Sequence, residues 1–268
     1  MLGACSLPVK REQDETSRKY GKTDGIIAIV FFLYDVFDIY FWRITPAGQW
    51  LRNSMASNLY DYLLLKFASF FEIQSAVQAA KDWARLISAL PADFIPVAVI
   101  FIILAVKKQK ISSLGFRKHH NLKASLIGIA AGILTALLMD CILFFCGKPN
   151  VFHSLSKLRL SVFALLSNIV FTGLTEELSF RAFLQSRIAG VIRNKWAAVL
   201  TVGLMFWASH FINDYLGGST TAANFLLQGV FMVCIHILFL FLYRKTDNIL
   251  AAVFCHGIYD FMIAPIYF

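Results

Sequence analysis

Residues 224–243, NFLLQGVFMVCIHILFLFLY, contain no Asp, Glu, Lys or Arg and stop at Arg244-Lys245. In a helix rising about 1.5 Å per residue, about 20 such residues match the roughly 30 Å hydrocarbon core of a bilayer. The stretch therefore predicts a membrane-spanning helix, and the chain around it repeats the pattern. Further spans are predicted at about 26–43, 56–72, 93–106, 122–146, 161–188, 196–212 and 248–266. Asp35, Asp38, Asp61 and Lys66 interrupt the first two, while the short third one ends at Lys107, Lys108 and Lys110. The predicted fold is all-α, a polytopic integral membrane protein of about eight transmembrane helices. Between the second and third spans, Ile73, Val77, Ala80, Trp83, Ile87 and Leu90 recur at helical spacing, with Gln74, Lys81, Asp82 and Arg85 elsewhere. That pattern predicts a connecting helix lying along the interface.

Composition agrees. Hydrophobic residues make up 58% of the 268 and Phe alone occurs 26 times, against about 45–50% apolar residues in a soluble domain. No polar stretch beyond the first 25 residues suits a separate soluble domain, and no internal repeat is visible. The expected organisation is a polar tail at 1–25 and one transmembrane domain at 26–268.

The 25 Lys and Arg against 16 Asp and Glu give a net charge of +9. This excess collects in short loops, where it sets orientation in a membrane, so no nucleic-acid partner is expected. The loops at 107–123, 187–195 and 244–245 are basic and, with the later spans as drawn, share one side, predicted to be cytoplasmic. The loop at 213–223 has no basic residue, although 147–160 keeps Lys148, Lys157 and Arg159 against the bias. Four of the five cysteines, Cys141, Cys146, Cys234 and Cys255, lie in apolar runs and form no CxxC pair, which argues against a disulfide framework. Leu2-Gly3-Ala4-Cys5 lacks the apolar run that a lipoprotein signal needs and reads as ordinary tail.

Chemistry concentrates in the fifth span, where Thr175-Glu176-Glu177-Leu178-Ser179-Phe180-Arg181 places three charges among apolar residues. A charge at the bilayer centre costs at least about 2.5–3.5 kcal/mol, so such residues face a polar interior and carry a function. Glu177 and Arg181 are i, i+4 and can pair, whereas Glu176 is turned about 100° away and stays available as a base. His210 closes Phe206-Trp207-Ala208-Ser209-His210 in the sixth span, and His256 opens His256-Gly257-Ile258-Tyr259-Asp260 in the eighth. Counted from the basic ends, Glu176, His210 and His256 lie about 16, 21 and 12 Å deep, a similar level within one helix bundle.

These residues resemble the three motifs EExxxR, FxxxH and HxxxN or HxxxD of the CPBP intramembrane proteases. That family includes the eukaryotic CAAX prenyl protease 2 and bacterial Abi-type proteins linked to bacteriocin immunity. Glu176-Glu177…Arg181, Phe206…His210 and His256…Asp260 occur in that order, and the resemblance covers about 160–264. It implies an intramembrane endopeptidase hydrolysing a peptide bond of a membrane-associated or lipidated substrate. In the activity it implies, Glu176 and His210 activate water, while His256 and Asp260 stabilise the oxyanion. An ionised Asp260 cannot donate a hydrogen bond, so it either carries a proton or orients His256. The implied partners are membrane lipid and a peptide or protein substrate, prenylated in one branch of the family. No organelle-targeting segment is visible, so the expected location is a bacterial plasma membrane, and the basic loops predict a site approached from the cytoplasmic side.

Glu176, Glu177, His210 and His256 also offer donors that zinc accepts, which makes a metalloprotease the alternative mechanism. The HExxH pattern is missing, and no cofactor is favoured. A different class, a non-proteolytic immunity or scaffold protein or a proton-coupled membrane protein, would use the same acids otherwise. Asp140 and His236, alone in apolar segments, read as structural or lipid-edge residues, and Asp35, Asp38 and Asp61 as interfacial or interhelical. Cys255 lacks the electropositive, accessible setting of a nucleophilic thiolate.

Overall fold

The computed structural model describes residues 20–69, 72–117, 120–145, 162–216, 218 and 220–267. Most of the polar tail, Leu2 to Cys5 and the 147–160 loop lie outside these residues. The described residues form helices and no strand. In chain order these are α1 (Lys22–Ile44), α2 (Pro46–Phe67), α3 (Ile73–Val106) and α4 (Asn121–Phe145). There follow α5 (162–187), α6 (Lys195–Ser209), α7 (Ala222–Thr246) and α8 (Leu250–Tyr267).

The chain is an all-α polytopic membrane protein. Among the described residues, five helices are long and apolar enough to cross a bilayer: Lys22–Ile44, Ala76–Val106, Asn121–Phe145, Lys195–Leu216 and Ala222–Thr246. Leu250–Ile263 is a shorter apolar helix. The expected second span, 56–72, instead falls in α2 and the residues after it, and α2 carries Arg52, Asp61 and Lys66. The fifth carries Glu176, Glu177, Arg181 and Arg187, and its helix is divided between α and π turns.

Two boundaries differ from expectation. The first helix starts at Lys22, its end closed by Asp24 accepting from the Gly21 N–H at 3.0 Å. More substantially, no separate interfacial helix precedes the third span, because residues 73–106 form one continuous helix. Pro91 and Pro96 lie inside it. They remove backbone donors that ordinarily mark a break, but a packed membrane helix tolerates the loss where neighbours cover the freed carbonyls. α2 lies against α3 along much of its length.

The three basic loops meet at one end of the bundle. Arg117 makes a two-point bond with the Asp247 carboxylate, 2.8 Å from Nε and 2.6 Å from Nη2. The buried Arg187 donates to Gln109 Oε1 at 2.6 Å and to Ser113 Oγ at 3.3 Å. Gln109 in turn donates to Asp24, which also pairs with Lys107 at 3.2 Å. The start of α1 therefore shares this end with all three loops.

α8, which carries His256, is gripped on two sides by small residues. Ala124, Gly128, Gly132, Ala136 and Asp140 form the buried edge of α4. A Cβ on Gly132 would stand 2.7 Å from the Cys255 carbonyl oxygen and 2.9 Å from Ile258 Cβ. On the other side, a Cβ on Gly257 would come within 2.6 Å of Ile169 Cα in α5. Backbones at this distance gain van der Waals contact that larger side chains forbid, which is how membrane helices associate without a hydrophobic drive. Gly132→Val should destabilise the protein by ~1–3 kcal/mol through overpacking, read as a lower melting temperature in detergent. Leu134→Val, at a lipid-facing position of the same helix, should leave the melt unchanged.

Candidate active site

α5 begins as an α-helix at Val162–Ser167 and widens into π turns at Asn168–Leu174 and Glu177–Leu184. Short polar side chains feed this irregularity: Asn168 Nδ2 donates to the Ala164 carbonyl at 2.9 Å and Thr175 Oγ1 to the Phe171 carbonyl at 2.5 Å. Such side chains compete with the backbone ladder, and π turns recur at functional sites.

The second π stretch opens on the catalytic-type sequence. Glu177 Oε1 lies 3.1 Å from Arg181 Nη1, and both side chains are 0% exposed. The i, i+4 pair expected from the sequence thus exists, at full burial. The pairing does not use up the guanidinium. Its Cζ lies 4.1 Å from the Phe206 ring centroid and 5.0 Å from that of Phe239, so two aromatic faces from α6 and α7 hold it as cation–π partners.

His256 reaches the carboxylates from α8. Its Nδ1 is 2.8 Å from Glu177 Oε1, and its Nε2 faces Asp260 Oδ2 at 3.3 Å and Glu176 Oε2 at 3.8 Å. Adjacent carboxylates therefore straddle one imidazole: Glu177 takes the inner nitrogen and Glu176 faces the outer one. Phe239 stacks on the ring at 4.8 Å between centroids. Glu176, 28% exposed, differs from the sealed Glu177, and its Oε2 has no hydrogen-bond donor among the described residues. A carboxylate accepts only, so simultaneous hydrogen bonds from both ring nitrogens need two protons on His256, unless Asp260 carries its own.

His210 stands at the end of α6, where the helix passes into π turns at Phe211–Leu216. Its Nδ1 is 2.9 Å from the Phe206 carbonyl oxygen. A carbonyl can only accept, so Nδ1 carries the hydrogen and a neutral ring leaves Nε2 with its lone pair. Among the described residues no polar contact joins His210 to a carboxylate. Phe206 connects it to the rest instead, lying 5.0 Å from His210, 6.3 Å from His256 and against Arg181. Glu176, Glu177, Arg181, His256 and Asp260 are thus one cluster, with His210 attached through an aromatic ring.

Three further acids border this cluster. Asp35 and Asp93 both lie within electrostatic reach of Glu176 and of Asp38. Asp35 and Asp38 are buried on α1, interhelical rather than interfacial. Asp93, in the apolar part of α3, was not singled out from the sequence, although an acid between Pro91 and Pro96 in an otherwise apolar run is a signal of the same kind as Glu176. His236 lies wholly inside the bundle, its Nε2 donating to Gln185 Oε1 at 3.1 Å, away from any lipid edge. Asp140 and Cys255 are buried too.

Glu177 Oε1 is shared between Arg181 and His256, and both His256 nitrogens face carboxylates. Among the described residues no group of three or more His, Cys, Asp or Glu side chains is arranged to hold an ion.

Residues 158–262 match the family model described as type II CAAX prenyl endopeptidase Rce1-like. That segment belongs to the Rce1-like family. It contains α5 to most of α8 and all three motifs, Glu176-Glu177…Arg181, Phe206…His210 and His256…Asp260. No curated protein and no solved structure matches the chain. Together with the apolar helices, the Rce1-like match at 158–262 supports an intramembrane peptidase in general.

The buried pair is the most sensitive point of the Rce1-like segment. Arg181→Met leaves Glu177 charged and sealed, which should cost about 3–5 kcal/mol. Adding Glu177→Gln should restore part of the lost melting temperature, a comparison that separates charge from packing.

Proposed function

We propose that the chain is an endopeptidase that cleaves a membrane-associated substrate at the Glu176–His210 face of this cluster. The observation that carries the reading is the contrast between the two glutamates, Glu177 sealed at 0% exposure against Arg181 and Glu176 28% exposed and paired with no guanidinium. A water between Glu176 and His210 Nε2 gives its proton to one of them as its oxygen attacks the peptide carbonyl carbon. The C=O electron pair moves onto oxygen, and collapse of that oxyanion breaks the C–N bond as the amine takes up the proton. General-base assistance of this kind contributes about 10²–10⁴-fold.

His256 faces the oxyanion side. Its Nδ1 is occupied by Glu177, so Nε2 is the nitrogen available to donate, with Asp260 at 3.3 Å steering it. Asp260 thereby acts as a positioning residue rather than a donor. The proposed hydrolysis uses Glu176 and His210 to activate the water directly, with Glu177 and His256 Nδ1 engaged with each other. The site is reached from the side of the basic loops, which is the cytoplasmic side of a bacterial plasma membrane if Lys and Arg set the orientation in the usual way. The family description favours a substrate cleaved close to a lipidated end, and prenylated peptides are the first to try.

Purified protein in detergent, assayed on a panel of membrane-tethered peptides with and without a prenyl group, tests the reading. Glu176→Gln and His210→Ala should each lower kcat by about 10²-fold or more at unchanged melting temperature. Full activity in both variants would refute the site. Asp260→Asn, which can still accept from His256, should retain more activity than Asp260→Ala. Overnight dialysis against a chelator should leave kcat unchanged, and a loss reversed by added zinc would replace this mechanism with the metal-dependent one.

A further inference from the structure

A second polar cavity, of about 420 Å³, lies between α1, α2 and α3. Arg43, Arg52 and Lys81 line it together with Asn53, Tyr60 and Asp93, and alanines form much of its floor. Three cations against one carboxylate give its lining a net positive charge. Arg43 lies within electrostatic reach of Asp93, whereas Lys81 makes no ion pair among the described residues. The cations come from three different helices and line one shared cavity.

The height of the cavity narrows the choice of ligand. Val106 and Lys22 mark the basic end of the bundle. At about 1.5 Å per residue, Arg43 is about 31 Å from Lys22 along α1, and Lys81 about 37 Å from Val106 along α3. A hydrocarbon core of about 30 Å places both at the headgroup layer of the opposite leaflet, with Asp93 deeper inside. Trp50 and Tyr62 on α2 and Trp83 on α3 are exposed, and exposed Trp and Tyr are characteristic of the membrane–water interface. Cations at headgroup height, beside interfacial aromatics, face phosphate groups that the bilayer supplies at high local concentration. Basic pockets between membrane helices bind anionic headgroups for this reason.

From these observations we infer that the Arg43–Arg52–Lys81 cavity binds the phosphate of an anionic phospholipid headgroup from the leaflet opposite the basic loops. The lipid pins α2 and α3 to α1 at the end of the bundle where the chain makes its 44–46 turn. Asp93 closes the inner end, and its negative charge keeps the phosphate at the mouth, away from Glu176. The site lies in the part of the chain outside the family match and does not depend on the proposed chemistry.

The test uses the full chain in detergent, equilibrated with equal amounts of phosphatidylglycerol and phosphatidylcholine, with native mass spectrometry reading the retained lipid. The unaltered protein should retain phosphatidylglycerol preferentially. Arg52→Gln/Lys81→Gln should reduce that preference on the order of tenfold, from the attraction of a basic residue for an anionic surface. Lys108→Gln/Lys110→Gln, at the opposite end, should keep it. Lys81→Gln alone, at an exposed side chain, should give a smaller loss at an unchanged melting temperature and decides the matter should the double variant fail to fold. An unchanged lipid ratio in the cavity variants would overturn the inference. So would displacement of phosphatidylglycerol by an equal concentration of glycerol phosphate, which would mark a site for free phosphate. A rise in KM for an acidic peptide with the lipid ratio unaltered would assign the cavity to substrate instead.

Discussion

A fully buried guanidinium organises the second half of this molecule. Arg181 cannot lie in a bilayer unpaired, since removing the partner of a buried charge leaves several kcal/mol uncompensated. Its environment is assembled from four helices: Glu177 from its own helix α5, Phe206 from α6, Phe239 from α7, and His256 from α8 through the shared Glu177 oxygen. Each of those helices must hold its depth and rotation for the charge to stay satisfied. Packing between membrane helices is weakly directional by itself. The ion pair and its aromatic walls supply the direction, and the residues offered for catalysis are the same ones or their immediate neighbours.

The small residues of α4 and α8 do complementary work. Gly132 and Gly257 let α8 approach its neighbours closely enough for backbone contact. α8 is a short apolar helix, with fewer residues to anchor it in lipid than α4 or α7. Close packing on both sides compensates, and it fixes the height of His256 against the two glutamates. A looser seam would let Nδ1 leave Glu177, and the carboxylate would then be short of one of its two partners.

Much of this was legible in the sequence because charge in an apolar run is conspicuous. Glu176, Glu177 and Arg181 stand out by their cost in lipid, and the i, i+4 spacing identifies which glutamate is paired. The convergence of the basic loops follows from counting Lys and Arg. Other features depend on tertiary context. Residues 73–90 have the amphipathic pattern of an interfacial helix, yet they continue into the next span, because Pro91 fails to interrupt a helix packed on α2. The π turns of α5 have no sequence period of their own, and the placing of both Glu176 and Glu177 against His256 depends on how α8 packs on α5. The separation of His210 from the carboxylates is equally hidden, since it depends on a backbone carbonyl capturing Nδ1.

That captured nitrogen bears on how the site divides its labour. His210 and His256 are both held by one ring nitrogen, but their holders differ: a neutral carbonyl for His210, a carboxylate already paired with a guanidinium for His256. An imidazole whose Nδ1–H is given to a carbonyl presents a lone pair on Nε2 and is suited to accept a proton. His256, with Nδ1 taken by Glu177, turns Nε2 toward Asp260 and Glu176. The proposed reaction gives the two histidines opposite roles, and it is their partners rather than their own chemistry that differ. Glu176, partly exposed and facing the outer nitrogen of His256, lies at the boundary between the two environments, which is where the proposed reaction needs a water with a base on one side and a donor on the other.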